Sequence, residues 1–241
     1  MTETLSIVIP AYNEERFIGT LLERILALDL SSLGLNKEII VVNDCSRDKT
    51  AEVVLEFPVK LHNQPKNGGK GAAVRAGIGL ATGQYLIIQD ADLEYDPADY
   101  IPMFQALKQP GVDAVYGSRY MKHPGRGKLV NLATGKHANQ SLFAYMGGQS
   151  LSFVALLFTG SYISDTVTAL KLFRTPLIQS LALETSGFEL DHEITARLLA
   201  QGGTIREVPI KYFPRSKAEG KKIGMRDWFI GTRTFWKYRK G

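Results

Sequence analysis

The chain is poor in cysteine and histidine. One of its 241 residues is cysteine, Cys45, so neither an internal disulfide nor a cysteine-based zinc cage can form, and a reducing compartment is favoured. Cys45 itself reads as an inert thiol near a strand end. The histidines, His62, His123, His137 and His192, are scattered without metal-ligand spacing, and only His192 lies inside a motif. No Ser/His/Asp elbow and no Cys/His pair is present, so covalent hydrolase chemistry has no support. The N-terminus lacks the basic start and long apolar centre of a signal peptide, because Glu3 precedes an apolar run that stops at Asn13; the expected location is the cytoplasm. Internal repeats and low-complexity linkers are absent from the sequence.

Long apolar runs are scarce too. Residues 142–163 carry no charge, and at about 1.5 Å rise per residue such a segment could nearly cross a ~30 Å hydrocarbon core. Gly147, Gly148, Gln149, Ser150, Ser152, Thr159 and Ser161 dilute its apolarity, so a buried helix is expected ahead of an interfacial or a spanning one.

What is present is a 44% hydrophobic chain, enough for one large core over residues 1–213, with residues 214–241 as a basic and aromatic appendage. The net charge of +5 is concentrated between Lys211 and Lys240, alongside Tyr212, Phe213, Trp228, Phe229, Phe235, Trp236 and Tyr238. A membrane surface or an anionic ligand fits that clustering better than a nucleic-acid footprint.

Short β-branched or apolar runs at residues 5–12, 38–42, 59–62, 85–88, 112–116 and 205–212 read as strands, the last interrupted by Pro209. Helical spacing follows the first in Ile18, Leu21, Leu22, Ile25 and Leu26, and residues 188–200 read as a further helix. Strands alternating with helices imply an α/β fold with a mainly parallel sheet and right-handed crossovers. Three carboxylate-bearing turns follow strands directly: Pro10-Ala11-Tyr12-Asn13-Glu14, Asn43-Asp44 and Asp90-Ala91-Asp92. Open α/β sheets bind ligands at the carboxyl ends of their strands, so a nucleotide and a metal are expected there.

Asp90 and Asp92 flank one small residue, a spacing that lets two carboxylates reach one divalent ion, with Glu94 as a candidate third ligand. Hard oxygen ligands favour Mg²⁺ or Mn²⁺. Asn67-Gly68-Gly69-Lys70-Gly71 opens another helix and could bring backbone N–H groups to phosphate, although it matches neither the Walker nor the Rossmann pattern.

Taken in order, these turns resemble the nucleotide-sugar half of inverting glycosyltransferases of the GT-A fold, a Rossmann-type three-layer architecture. The resemblance continues through Ser164-Asp165-Thr166-Val167-Thr168, Gly187-Phe188-Glu189-Leu190-Asp191-His192-Glu193, Glu207-Val208-Pro209-Ile210 and the stretch from Arg215 to Ile223. Those later motifs look like the branch containing the dolichyl-phosphate and polyprenyl-phosphate mannose and glucose synthases. The resemblance implies that Pro10, Tyr12, Glu14 and Asp44 hold base and ribose, that Lys70 approaches the diphosphate or sugar, and that Asp90, Ala91 and Asp92 hold metal and donor. Asp165 would lie near the acceptor or sugar, although Ala169 stands where such relatives commonly have glycine.

A sugar or alcohol acceptor needs a carboxylate to take its proton; Asp191 is the first candidate, with Glu189 and Glu193 nearby. Glu189 and Glu193 share a helical face that Asp191 does not, so the three serve one site only if the helix begins between them. A lipid-phosphate acceptor is already anionic, and Arg119, Arg215, Lys221 and Lys222 would then matter more. The favoured reading is hexose transfer from a nucleotide-diphosphate sugar to a polyprenyl or dolichyl phosphate on the cytoplasmic face of a membrane, with peripheral contact through the C-terminal segment. Transfer to a glycan hydroxyl, a sugar-phosphate nucleotidyltransferase and a non-catalytic nucleotide-sugar sensor are the alternatives. The chain stops just after Lys240, where many membrane-bound members of that branch continue into transmembrane helices, so a peripheral enzyme and a shortened sequence both stay open.

Overall fold

The computed structural model describes residues 2–121, 142–214 and 225–240. A seven-stranded sheet runs in the order β3-β2-β1-β4-β6-β5-β7. Its strands are β1 (Glu3–Ala11), β2 (Leu35–Asn43), β3 (Lys60–Asn63), β4 (Tyr85–Ile88), β5 (Ala114–Ser118), β6 (Lys171–Arg174) and β7 (Ile205–Pro209). All neighbours pair in parallel except β6, which lies antiparallel between β4 and β5.

The sheet is buried on both faces, which is why its central strands are near-continuous apolar runs. Ile7 and Ile9 of β1 and Val41 of β2 face a core shared with α1 (Ile18–Ala27), α2 (Thr50–Leu55) and α4 (Tyr100–Leu107). Val8, Ile40 and Val42, the alternate residues, face a second core with α3 (Lys70–Leu80), α6 (Thr175–Ser180) and α7 (Leu190–Ala200). The three-layer, mainly parallel architecture expected from the sequence is therefore present. β6 has no counterpart in the strands read from the sequence: it is four residues long and starts on a lysine.

Two more α-helices are present among the described residues, α5 (Leu142–Thr159) and α8 (Met225–Tyr238). Ala155, Ala196, Phe235 and Tyr238 form a small core among α5, α7 and α8, and the Trp228 indole donates to Ser150 Oγ at 2.8 Å. The helix of the C-terminal segment is thus packed into the body. On α5 the buried-helix expectation holds for one face: Leu151, Ser152 and Ala155 are buried, whereas Phe153 and Leu157 are exposed. Among the described residues no helix is long and apolar enough to cross a membrane.

Candidate active site

Turns at the carboxyl ends of β1, β2 and β4 meet because these strands are parallel neighbours. The β1 and β2 turns are stitched together: Asp44 N donates to Ala11 O (2.9 Å), Asn13 N to Ser46 Oγ (3.0 Å), Arg47 N to Asn13 Oδ1 (2.8 Å) and Glu14 N to Thr50 Oγ1 (2.8 Å). Asn13, Cys45 and Leu93 adopt left-handed backbone at φ 56°, 59° and 61°, each one residue beyond Tyr12, Asp44 or Asp92. Such conformations are sparsely populated, and here they turn the chain sharply just after each residue that faces the site.

The turns open onto a cavity of about 750 Å³, large enough for a nucleotide sugar. Pro10, Ala11, Tyr12, Glu14, Asp44, Lys70, Asp90, Ala91, Asp92, Glu94, Arg119 and Asp191 all line it. Tyr12 is 42% exposed at the rim rather than packed in the core. Arg215, Lys221 and Lys222 lie outside the described residues.

Asp44 serves the loop before α3: its Oδ1 and Oδ2 accept from Gly68 N (2.7 Å) and Gly69 N (2.8 Å). The expectation that these N–H groups meet phosphate is corrected, since a carboxylate already holds them. The glycines are needed for close packing. Gly69 has φ +90° and a Cβ there would lie 2.6 Å from Ser186 O, while one on Gly71 would lie 2.7 Å from Gly187 O. Lys70 begins α3 and sends its ammonium to Asp90 at 2.7 Å. Burial works against its charge, but Asp90 and Asp191 outweigh that and raise its pKa above the usual lysine value.

Asp90 and Asp92 both reach the cavity with hard oxygen donors, which fits Mg²⁺ or Mn²⁺ shared with a diphosphate. Glu94 does not complete a protein triad. Its carboxylate accepts from the Tyr212 hydroxyl at 2.8 Å, and among the described residues no three His, Cys, Asp or Glu side chains form a metal-holding group.

The opposite side of the cavity rests on buried ion pairs. Arg119 grips Asp165 in a two-pronged contact, Nε to Oδ2 at 2.7 Å and Nη2 to Oδ1 at 2.8 Å, and Arg119 N also donates to Oδ2. Asp165 is buried and is not part of the cavity wall, so the catalytic expectation for it is corrected: it holds Arg119, which does line the wall. Glu207 in turn fixes the 164–165 backbone by accepting from Ser164 N (2.8 Å) and Asp165 N (3.0 Å).

Helix α7 starts at Leu190, between Glu189 and Asp191, yet only two of the three acidic candidates share the site. Glu189 and Asp191 line the cavity. Glu193 is fully buried and points away, accepting from Glu184 N, Thr185 N and Arg197 Nε, which removes it as a base. Asp191 Oδ1 lies 2.5 Å from Lys171 Nζ, and its Oδ2 lies 3.9 Å from Lys70 Nζ. Burial alone would raise the Asp191 pKa; Lys171 and Lys70 reverse that and hold it below the ordinary aspartate value.

Sequence reasoning missed Lys171, Tyr95, Tyr212 and Asp227. Nothing local marks them: the last three join the cavity wall from separate parts of the chain, and Lys171 sits behind the wall. His192 lines the cavity beneath α8 and is buried against Phe235, with ring centroids 5.1 Å apart; burial lowers its pKa from 6.5 to about 4.

A doubly covered, mainly parallel sheet with an Asp-x-Asp turn and a nucleotide-sized cavity at its carboxyl edge is the architecture of a GT-A enzyme. The sequence matches Glycosyl transferase family 2 over residues 6–162, and the chain belongs to that family. It is 30% identical over 224 residues to a dolichol-phosphate mannosyltransferase of Pyrococcus furiosus, covering 91% of this chain and 59% of that protein. It is 34% identical over 203 residues to a dolichyl-phosphate beta-glucosyltransferase of Drosophila melanogaster, covering 78% of this chain and 60% of that protein. The chain therefore spans about three fifths of the length of each of these relatives. Among solved structures it resembles mannosyl-3-phosphoglycerate synthase from Rubrobacter xylanophilus, with TM-score 0.71, 19% identity, and 98% of this chain and 72% of that one covered. It also resembles glucosyl-3-phosphoglycerate synthase from Mycobacterium tuberculosis in complex with Mn²⁺, uridine diphosphate and phosphoglyceric acid, with TM-score 0.70, 18% identity, and 98% and 78% covered. Family membership favours glycosyl transfer over the nucleotidyltransferase alternative.

Proposed function

We propose that the chain transfers a hexose, with inversion, from a nucleotide-diphosphate sugar to a polyprenyl or dolichyl phosphate, using Mg²⁺ or Mn²⁺. The observation that carries the choice of acceptor is the charge on the cavity wall opposite the Asp-x-Asp turn. There the carboxylate expected to act as a base, Asp191, is held between Lys171 and Lys70, and Arg119 contributes a guanidinium. A carboxylate stabilised in its ionised form is a weak proton acceptor, so it suits a nucleophile that arrives already deprotonated. A phosphate oxygen is such a nucleophile, and an arginine is suited to hold it.

On the donor side Tyr12, Glu14 and Asp44 would bind base and ribose, and Lys70 would turn from Asp90 toward the diphosphate. Asp90 and Asp92 would hold the metal, which supplies positive charge to the departing nucleoside diphosphate. The acceptor oxygen would then attack the anomeric carbon from the side opposite that leaving group. The names of the two curated relatives support the lipid-phosphate choice.

On α8 Arg226, Phe229, Arg233, Trp236 and Lys237 are exposed at helical spacing, with Lys240 just past its end, and α5, which packs against α8, exposes Phe153 and Leu157. Aromatic and basic side chains in that arrangement fit the headgroup region of an anionic membrane, where a polyprenyl phosphate resides. A peripheral position on the cytoplasmic face follows from this reading.

The same wall would also accept a small phosphorylated acid such as the phosphoglyceric acid named with a solved neighbour, which makes that the second reading. The deciding experiment compares polyprenyl phosphate, the matching polyprenol and 3-phosphoglycerate as acceptors. Turnover with the lipid phosphate and none with the alcohol is expected; glucosylation or mannosylation of 3-phosphoglycerate alone would move the chain to the second reading, and turnover with the alcohol would contradict the anionic-acceptor argument.

A further inference from the structure

β6 is the only antiparallel strand of the described sheet, and that reversal places its first residue at the functional edge. Lys171 pairs with Ile88, two residues before Asp90, and with Tyr116 on the other side. In a parallel strand the first residue would lie at the far end, away from every site turn. Lys171 thus reaches the back of the site wall from a strand that carries none of the motif residues.

The side chain of Lys171 is 0% exposed. Its ammonium bonds Asp191 Oδ1 at 2.5 Å and the carbonyl of Thr168, and it lies 5.0 Å from the centre of the Tyr116 ring. It does not line the cavity; Asp191 does, in front of it. The second Asp191 oxygen faces Lys70 at 3.9 Å, and Lys70 reaches Asp90 at 2.7 Å. One chain of alternating charges, Lys171-Asp191-Lys70-Asp90, therefore joins β6, α7, α3 and the turn after β4.

A buried ion pair adds little stability over apolar side chains of the same size, because desolvation cancels much of the attraction. A strand start that only had to pack would not need a lysine. Orientation is what this pair supplies: without Lys171, Asp191 is free to rotate onto Lys70 and compete with Asp90 for it.

We propose that Lys171 is a positioning residue of the transfer reaction, which acts from behind the cavity wall by fixing the Asp191 carboxylate so that Lys70 is not captured by Asp191 and can turn from Asp90 to the donor. The proposal rests on the transferase reading above but not on the identity of the acceptor.

A double-mutant cycle of Lys171→Met and Asp191→Asn tests it, with Lys171→Arg as the conservative variant. The readouts are kcat and donor KM for nucleoside diphosphate release, together with the thermal midpoint of the ligand-free protein. Lys171→Met should lower kcat roughly 30-fold while donor KM moves less than about threefold, as expected for a group acting on the reacting geometry rather than on uniform binding. Lys171→Arg should recover part of that loss. Residues acting as a unit are non-additive, so in the Asp191→Asn background Lys171→Met should change kcat by less than about twofold. A folded Lys171→Met protein with wild-type kcat would overturn the proposal, as would an equal loss in both backgrounds. If Lys171→Met alone does not fold, the double variant buries no uncompensated charge and must fold with the kcat of Asp191→Asn; a further loss, or failure of the double variant to fold, makes Lys171 purely structural. Because release is measured without reference to acceptor, a wild-type enzyme that ignores polyprenyl phosphate would sink the acceptor assignment and leave this cycle interpretable.

Discussion

On one side of the cavity Tyr12, Asp44 and Asp92 each lie within a few residues of the end of a parallel strand, and the β1 and β2 turns are tied to each other by hydrogen bonds from backbone N–H groups. On the other side Arg119 is held by Asp165, 46 residues further along the chain, and Asp191 by Lys171, 20 residues before it. The first side is built from strand-end turns cross-linked by backbone N–H hydrogen bonds and the second from buried charge pairs. Binding a nucleotide needs acceptors and a metal held on a rigid edge, which strand ends supply. Handling an anionic acceptor needs buried cations, and a fold can keep those only if each has a partner.

The largest expected effect would break the donor side. Asp92→Asn should reduce Mn²⁺-dependent nucleoside diphosphate release by about a thousandfold, several kcal/mol of lost charge stabilisation, with the fold intact by circular dichroism. Wild-type rates in that variant would remove the metal assignment. Arg119→Lys attacks the other side, because lysine cannot make the two-pronged contact with Asp165; it should lower kcat/KM for the acceptor roughly 10- to 100-fold and leave donor KM nearly unchanged. A change confined to donor KM would place Arg119 on the wrong side of the comparison.

His192 sharpens the contrast through pH. Burial takes its pKa from 6.5 to about 4, so as pH falls through that window the unfolded chain takes up a proton that the folded one refuses. Its neutral form is accommodated in full above pH 6.5, and stability should decline toward pH 4 by on the order of 3 kcal/mol. His192→Phe should flatten that limb in urea titrations at several pH values, and an unchanged slope would show that His192 does not control it. Gly69→Ala probes the loop that Asp44 holds; left-handed backbone and the contact with Ser186 O should cost roughly 2 kcal/mol, read as a lowered urea midpoint. The smallest effect is on the outer surface, where replacing Phe229 and Trp236 together by serine should weaken co-sedimentation with anionic liposomes about tenfold. Unchanged binding would remove the membrane argument.

The same contrast explains what could be read from the sequence. The donor residues were legible because an apolar run followed by Pro10 to Glu14, Asp44 or Asp90 to Asp92 is a local pattern with one physical meaning. Glu94 was misassigned because a carboxylate two residues past Asp92 can face the metal or Tyr212, and Tyr212 lies 118 residues away. The role of Asp165 depended on Arg119, and the presence of Glu189 beside Asp191 on the cavity wall depended on α7 starting at Leu190, between them. β6 went unseen because a four-residue strand beginning on a buried lysine has neither alternation nor an apolar start, and only its place between β4 and β5 makes it a strand.

The most direct test of the account is nucleoside diphosphate release from UDP-, GDP- and dTDP-hexoses with Mn²⁺, measured with and without a short polyprenyl phosphate. One donor should release its diphosphate, and the lipid phosphate should accelerate that release while the hexose appears on the lipid. Release that is indifferent to the lipid phosphate but accelerated by a neutral hydroxyl acceptor would contradict the assignment of the cation-lined wall.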